Sequence, residues 1–272
     1  MLTFKIPSHF GVWIAAKYRW MADLPLASDA FGFAHYFHCR DTREHHGFHR
    51  EVKFTKIIDL RPSRDEILRQ FSGHTRTKIK HGAHDGMRFS SDIPEEELLK
   101  VCALFAEDNG LPELEKKVLD AYWSGMKVTK LSRDNRTLVM HSFIIDESTG
   151  RACMLHDAAM FRRADDLSNR NTIGHANRYL HYLDMLYLKD LGVQWLDLGG
   201  YARDTTDEHL QRVNEFKDGF GGELVEMSNY VSLPLFCYRK LSHHLHRGNS
   251  LEGRNLPPGP GVRALPRRFT DG

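Results

Sequence analysis

Lys217 is the residue of this chain best placed by its neighbours to meet a developing negative charge. It follows an aromatic, Phe216, and precedes the glycine-rich turn Gly219-Phe220-Gly221-Gly222, a setting that would hold an ammonium at the edge of a sheet. Acyl transfer to an amine needs such a charge to stabilise the oxyanion; the competing reading is a surface lysine on a short helix. Asp197 ends an otherwise apolar run of Val193, Trp195, Leu196 and Leu198. An acid there is either a turn-former that accepts backbone N–H groups or a base that orients an acceptor amine. His156 and Asp157 interrupt a second apolar run, CMLHDAAMF. Successive side chains of a strand face opposite sides, so only one of the two can address a cleft. His156, with an ordinary pKa of ~6.5, suits proton transfer near neutrality, or else is a satisfied core histidine. Tyr201, Arg203 and Tyr230 are candidates to line the acceptor pocket. A phosphate site is expected where Asn171-Thr172-Ile173-Gly174-His175-Ala176-Asn177 opens a helix: first-turn N–H groups are free, Gly174 permits close approach, and Arg170 and Arg178 flank it. The alternative there is a capped core helix.

The elements that would position these groups follow from periodicity. FGFAHYFHCR and EVKFTKIIDL alternate as strands on either side of the polar turn DTREHHG. Ser63, with Glu66 three residues on, predicts a capping box opening a helix with Ile67, Leu68, Phe71 and Ile79 on its stripe. MRFSS reads as a short strand, Asp92 to Asn109 as an acid-started amphipathic helix stopped by Gly110, and Pro112 as the start of another helix. MKVTKLS, TLVMHSFIID and RACMLHDAAMF are three strands, the last two joined by the turn Glu147–Gly150. A polar loop leads to the strongest helix, His175 to Leu191, with a stripe of Ala176, Tyr179, Leu180, Leu183, Leu186, Tyr187 and Leu191. VQWLDLGG is a buried strand, Glu208 to Asp218 a short helix, ELVEMSNYVSL a last strand, and the segment from Pro234 a basic, His-rich helix before a Pro-rich tail expected to be disordered. Three consecutive strands on short turns must be antiparallel, so a mixed sheet with helices on both faces is expected rather than a doubly wound nucleotide fold.

Taken in order, several of these pieces resemble the C-terminal half of GNAT-superfamily acyltransferases, in the branch of the Fem-type aminoacyltransferases that build peptidoglycan bridges. The carriers are Gly174-His-Ala176-Asn177, then Gly192, then Asp197-Leu-Gly199-Gly200, then Phe216-Lys217-Asp-Gly219-Phe220-Gly221-Gly222, then Tyr230; RTKIKHGAHDGMRF is similar to the basic helix-turn-strand that opens this domain. The likeness spans roughly residues 61–236. It implies a GNAT-like α/β fold, a donor site holding the Phe216-Lys217 pair, and acyl-CoA as the expected donor, with aminoacyl-tRNA the alternative. The GNAT pyrophosphate loop, [RQ]xxGx[GA], is met only in part, because Asn171 stands first and Arg170 lies one residue too early. Fem-type enzymes carry two tandem domains, and this chain is too short for two full copies.

Composition bounds the partners. The 272 residues carry 38 Lys and Arg against 36 Asp and Glu, a net of +2, which argues against a globally basic nucleic-acid coat and against DNA as a partner. Locally the balance shifts. Residues 61–88 hold seven basic side chains against three acids, and residues 239–272 seven against two. The 61–88 and 239–268 segments are therefore candidate tRNA contacts, or contacts to a phospholipid surface. No apolar run approaches a membrane span, the N-terminus lacks a signal-peptide pattern, and four scattered cysteines form no CxxC pair, so a cytoplasmic, reduced protein is expected. His35, His38, His45, His46 and His49 fit no metal motif, and no metal is expected there. With no cysteine in a motif beside a base, direct transfer without a covalent intermediate is expected. The expected divisions are a reduced β-rich half (1–86), a GNAT-like domain (87–236) and a basic helix with tail (237–272). The expected activity is transfer of an acyl or aminoacyl group to an amine of a cell-envelope sugar, peptide or small metabolite; a non-catalytic GNAT-fold module binding an acylated or RNA ligand is the alternative.

Overall fold

The computed structural model describes residues 1–8, 14–160 and 167–247. Ten strands form a single sheet in the order β1-β2-β3-β10-β4-β9-β8-β7-β6-β5. They are β1 (Leu2–Ser8), β2 (Ile14–Trp20), β3 (Ala34–Cys39), β4 (Phe48–Asp59), β5 (Arg88–Ser90), β6 (Met126–Arg133), β7 (Arg136–Asp146), β8 (Arg151–Ala159), β9 (Trp195–Tyr201) and β10 (Glu223–Ser232). Only β2–β3 and β8–β9 pair in parallel; the other neighbours are antiparallel. The expected mixed, mostly antiparallel α/β fold is therefore present. The last strand inserts between β3 and β4, so the expected division at residue 86 falls within one continuous sheet. β1 and β2, which alternation did not reveal, form an antiparallel ladder, and Pro7 lies in the outermost strand, where a missing N–H is harmless.

Seven α-helices cover the sheet: α1 (Arg64–Gln70), α2 (Gly73–His84), α3 (Glu95–Asn109), α4 (Lys116–Tyr122), α5 (Leu167–Asp190), α6 (Glu208–Asp218) and α7 (Leu233–Arg247). The Ser63–Glu66 capping box forms. The single helix expected after it breaks at Phe71, and Ser72 caps a second one by accepting from the Thr75 N–H. α4 starts four residues after Pro112, at Lys116. The side chains of His243, His244 and His246 and the Pro-rich tail lie outside the described residues.

Two apolar layers fill the two faces. One packs α3 and α4 (Leu98, Val101, Leu119, Tyr122) against Trp20, Phe37, Val128, Met140, Ile144 and Leu155. The other packs α1, α2 and α5 (Ile67, Phe71, Ile79, Met185, Leu188) against Ile58, Phe143, Met154, Leu196, Leu198 and Phe220. Each such side chain, once buried, stabilises by about 1.5–3 kcal/mol. Gly82 allows α2 to approach α5: a Cβ there would stand 2.7 Å from the Tyr179 Cβ and 3.0 Å from the His175 carbonyl oxygen.

α5 differs most from expectation. It begins at Leu167, so Asn171, Gly174 and Ala176 lie inside it rather than at its start. Its buried face is also rotated from the expected stripe. Ile173, Ala176, Leu180, Met185 and Leu188 are the buried apolar residues, with Asn177, His181 and Asp184 buried beside them, whereas Leu191 is 45% exposed.

Candidate active site

The parallel β8–β9 ladder runs for three pairs, Arg151–Trp195, Ala152–Leu196 and Cys153–Asp197, although both strands continue. On its other side β8 carries a bulge: Ser142 pairs with His156 and Phe143 with Met154, leaving Leu155 unpaired. Beyond Cys153 and Asp197 no further β8–β9 pairs form, a split we term the wedge; its β9 wall is Leu198-Gly199-Gly200-Tyr201, and the Met154 carbonyl oxygen of β8 lies 3.5 Å from where a Gly199 Cβ would stand. Gly199, at φ +76°, turns its backbone there.

Lys217 stands at this wall. Its Nζ donates to the carbonyl oxygens of Gly199 at 2.9 Å and Gly200 at 2.6 Å, so the last turn of α6 delivers a fixed ammonium to the glycine pair of β9. Phe216 lies beside it under the Arg178 guanidinium, 4.8 Å from the ring centroid. Tyr201 reaches the same end of β9, donating to Asp218 Oδ2 at 2.9 Å, and Lys56 pairs with the other oxygen of that carboxylate at 2.8 Å. Four of the residues singled out by sequence, Lys217, Phe216, Arg178 and Tyr201, thus gather around the wedge. Arg203 lies further out, paired with Asp204 and set over the Phe54 ring.

The others are placed differently. Asp197 is buried and fully engaged: Oδ2 bonds His38 Nδ1 at 2.6 Å, while Oδ1 accepts from the Thr55 hydroxyl and from the Gly199 N–H at 2.7 Å. Burial would raise its pKa, but His38 and these hydrogen bonds hold it below the usual carboxylate value. The Gly199 N–H bond is the contact expected of a turn-former, and it fixes the Gly199 backbone on which Lys217 rests. His156, half-buried, bonds Ser142 Oγ at 2.7 Å, and desolvation lowers its pKa to about 4, which weakens it as a base near neutrality. Tyr230 is fully buried and its hydroxyl donates to the carbonyls of Asp41 and Arg43, so it lines no pocket. Ala176 is fully buried in an apolar cluster, and the Gly174 N–H lies within the helix, so the first-turn donors expected of a phosphate loop are absent from this stretch. Arg170, closing the first turn of α5, and Asn171, the next residue, are exposed.

Two buried polar clusters escaped sequence reasoning. In the first, Cys153 Sγ lies 4.0 Å from His38 Nδ1, the nitrogen already held by Asp197. Because acid and thiol share one ring nitrogen, this is not a nucleophilic triad, and burial pushes the thiol pKa up rather than activating it. Near it a cleft of about 670 Å³ opens at the opposite end of β9 from Lys217, lined by Arg40, Arg61, Arg151 and Trp195. The second cluster lies under Phe216, between β7, β8 and α5. His141 Nδ1 bonds Asp184 Oδ2 at 2.7 Å, and the Thr129 hydroxyl donates to Asp184 Oδ1 at 2.6 Å. His141 Nε2 faces Asn177 Oδ1 at 3.0 Å and Asp157 Oδ1 at 3.5 Å, and His181 Nε2 lies 3.5 Å from Asp157 Oδ2. The legible signal was the spacing Asn177, His181, Asp184 along one face of α5. The N-terminal histidines do not converge: His35 meets Arg239, His45 meets Asp41, and His49 packs on Phe236.

No protein-family model and no curated protein sequence matches the chain. Solved structures do. FemX superposes with a TM-score of 0.55 at 12% identity, covering 72% of this chain and 68% of FemX. The C-terminal domain of an Agrobacterium fabrum protein assigned as a lysylphosphatidylglycerol synthetase gives 0.53 at 13% identity, covering 89% of this chain and 83% of that one. The chain therefore has the fold of FemX and of this synthetase domain. Among the described residues no helix is long and apolar enough to cross a membrane.

Proposed function

We propose that the chain is an acyltransferase that moves an aminoacyl group from the ester of an aminoacyl-tRNA to an amine of a cell-envelope peptide, sugar or small-molecule acceptor. The observation that carries this reading is the Lys217 ammonium, fixed by two carbonyls at the mouth of the β8–β9 wedge. The acceptor nitrogen attacks the ester carbonyl carbon, negative charge collects on the carbonyl oxygen beside Lys217, the bond to the ribose oxygen breaks, and the amine proton ends on that oxygen. Asp197 supports this by holding Gly199 in place. Phe216 and Arg178 give the donor an aromatic face and a cation.

The choice of donor rests on charge and on α5. With Gly174 inside the helix, a pyrophosphate would lack the backbone donors that the acyl-CoA loop requires. Exposed Lys80 on α2 and Arg88 on β5, with Arg64 and Arg69 of α1, which pair with Asp190 and Glu66, offer cations for an RNA backbone, and one fold neighbour is named for a lysylated phospholipid product. Acyl-CoA remains the second reading because the β8–β9 ladder stops after three pairs, leaving strand edges that an extended pantetheine chain could join.

The test is a transfer assay with radiolabelled aminoacyl-tRNA and, separately, radiolabelled acyl-CoA, each against a panel of amino sugars and diamino-acid peptides. Amide product from the tRNA donor, with binding that weakens steeply from 50 to 200 mM salt, is expected. Product from acyl-CoA alone would favour the second reading. Salt-sensitive tRNA binding without turnover on any acceptor would leave a binding module and refute the enzyme.

A further inference from the structure

His141, Asp157 and His181 have a geometry that differs from that of a hydrogen-bonded cluster. A hydrogen bond from imidazole to carboxylate spans about 2.7–3.0 Å. Here both imidazoles stand 3.5 Å from Asp157, one on each carboxylate oxygen. Two ligand atoms about 2.0–2.1 Å from a tetrahedral ion are about 3.4 Å apart, so the observed spacing suits co-ligands better than hydrogen-bond partners. All three donor atoms lie within 4.8 Å of one another. A second observation is independent of the spacing: both ring nitrogens of His181 are buried without a hydrogen-bond partner, although the residue is only 2% exposed. Such orphaned polar atoms are rare and costly.

The surroundings complete the pattern. Asp184 accepts from His141 Nδ1 and is itself held by Thr129, which fixes the ring so that Nε2 points at Asp157. A carboxylate behind a ligating histidine is the usual outer-shell arrangement of a metal centre. Asn177 Oδ1, 3.0 Å from His141 Nε2, adds a fourth donor atom, and its amide nitrogen donates to Asp157 Oδ1 at 3.2 Å. Asp157, at 13% side-chain exposure, is the member nearest solvent.

We propose that His141, Asp157 and His181, with Asn177, form a structural site for a divalent first-row transition ion, zinc being the ion its nitrogen and oxygen donors suit. The ion ties β7, β8 and α5 together beneath Phe216, whose ring lies 5.2 Å from that of His181. The site is independent of the transfer reaction and of its donor.

The full-length protein, stripped with a chelator and reloaded with zinc or cobalt(II), should retain about one ion per chain after gel filtration. Zinc at a hundredfold excess over its Kd should raise the Tm by about 5–10 °C. The cobalt form should show visible d–d bands without thiolate charge transfer, because no sulfur is among the ligands. Asp157→Asn and His181→Gln should lose the ion. Cys153→Ser and the triple change His243→Gln, His244→Gln, His246→Gln should keep it. Failure to retain an ion, a thiolate band, loss in Cys153→Ser or in the triple variant, or retention in Asp157→Asn would each overturn the proposal. The wild-type cobalt spectrum and thermal shift decide the matter even if Asp157→Asn does not fold.

Discussion

Titrating His141 in the metal-free protein should produce a stability loss at alkaline pH that one substitution removes. Burial works against a charged imidazole, but Asp157 and Asp184 outweigh it and raise the His141 pKa from 6.5 to about 10. A group whose folded-state pKa is raised stabilises the fold fully below its unfolded value, and that contribution disappears as pH climbs through the folded value. The window is therefore pH 6.5 to about 10. Within it the unfolding free energy should fall by about 1.4 kcal/mol per pH unit, reaching at most about 5 kcal/mol. His141 and Asp157 titrate together, so this amount is counted once. Against a total stability of about 5–15 kcal/mol, even half that response is large. The assay is urea unfolding of the chelator-treated protein at half-unit pH steps, in parallel with His141→Gln. The variant should be weaker by about 3–5 kcal/mol at pH 7, having removed the imidazole that faces buried Asp184, and its alkaline slope should be shallower than wild type. Other titrating groups, His38 among them, are common to both proteins and cancel in the comparison. Parallel slopes would refute the assignment of a charged His141.

Three further substitutions separate structural from chemical roles. Gly82→Ala should destabilise by about 1–3 kcal/mol in urea unfolding, because its Cβ would meet the Tyr179 Cβ at 2.7 Å and push α2 from α5. Asp197→Asn should cost about 3–5 kcal/mol by stranding buried His38, yet retain a measurable transfer rate if the carboxylate is no base; complete loss of turnover in a folded variant would return it to the chemistry. Tyr230→Phe should cost about 1–3 kcal/mol by orphaning the carbonyls of Asp41 and Arg43 and leave KM for donor and acceptor unchanged.

Periodicity and turn chemistry located β3 to β10 and most helices because those segments have local signals: Gly110 and Gly150 at positive φ, the Ser63 capping box, and the apolar run of β9. The start of α5 was misread for a local reason. Asn171, Thr172 and Gly174 are cap and turn formers, yet tertiary packing of Ile173 and Ala176 against Leu131, Val139 and Ala159 carries the helix through them. Lys217 was legible from its aromatic and glycine neighbours. The roles of Asp197 and His156 were not, since each depends on a partner distant in sequence: His38 lies 159 residues from Asp197. The histidine cluster was half legible, through Asn177, His181 and Asp184 on one helical face, but His141 enters from a strand whose apolar pattern conceals it.

Single-turnover transfer by Lys217→Met tests the central claim most directly. Loss of the ammonium at the wedge should lower the rate of the chemical step about 10²–10³-fold with donor affinity nearly unchanged. A folded Lys217→Met protein that transfers at the wild-type rate would contradict the account.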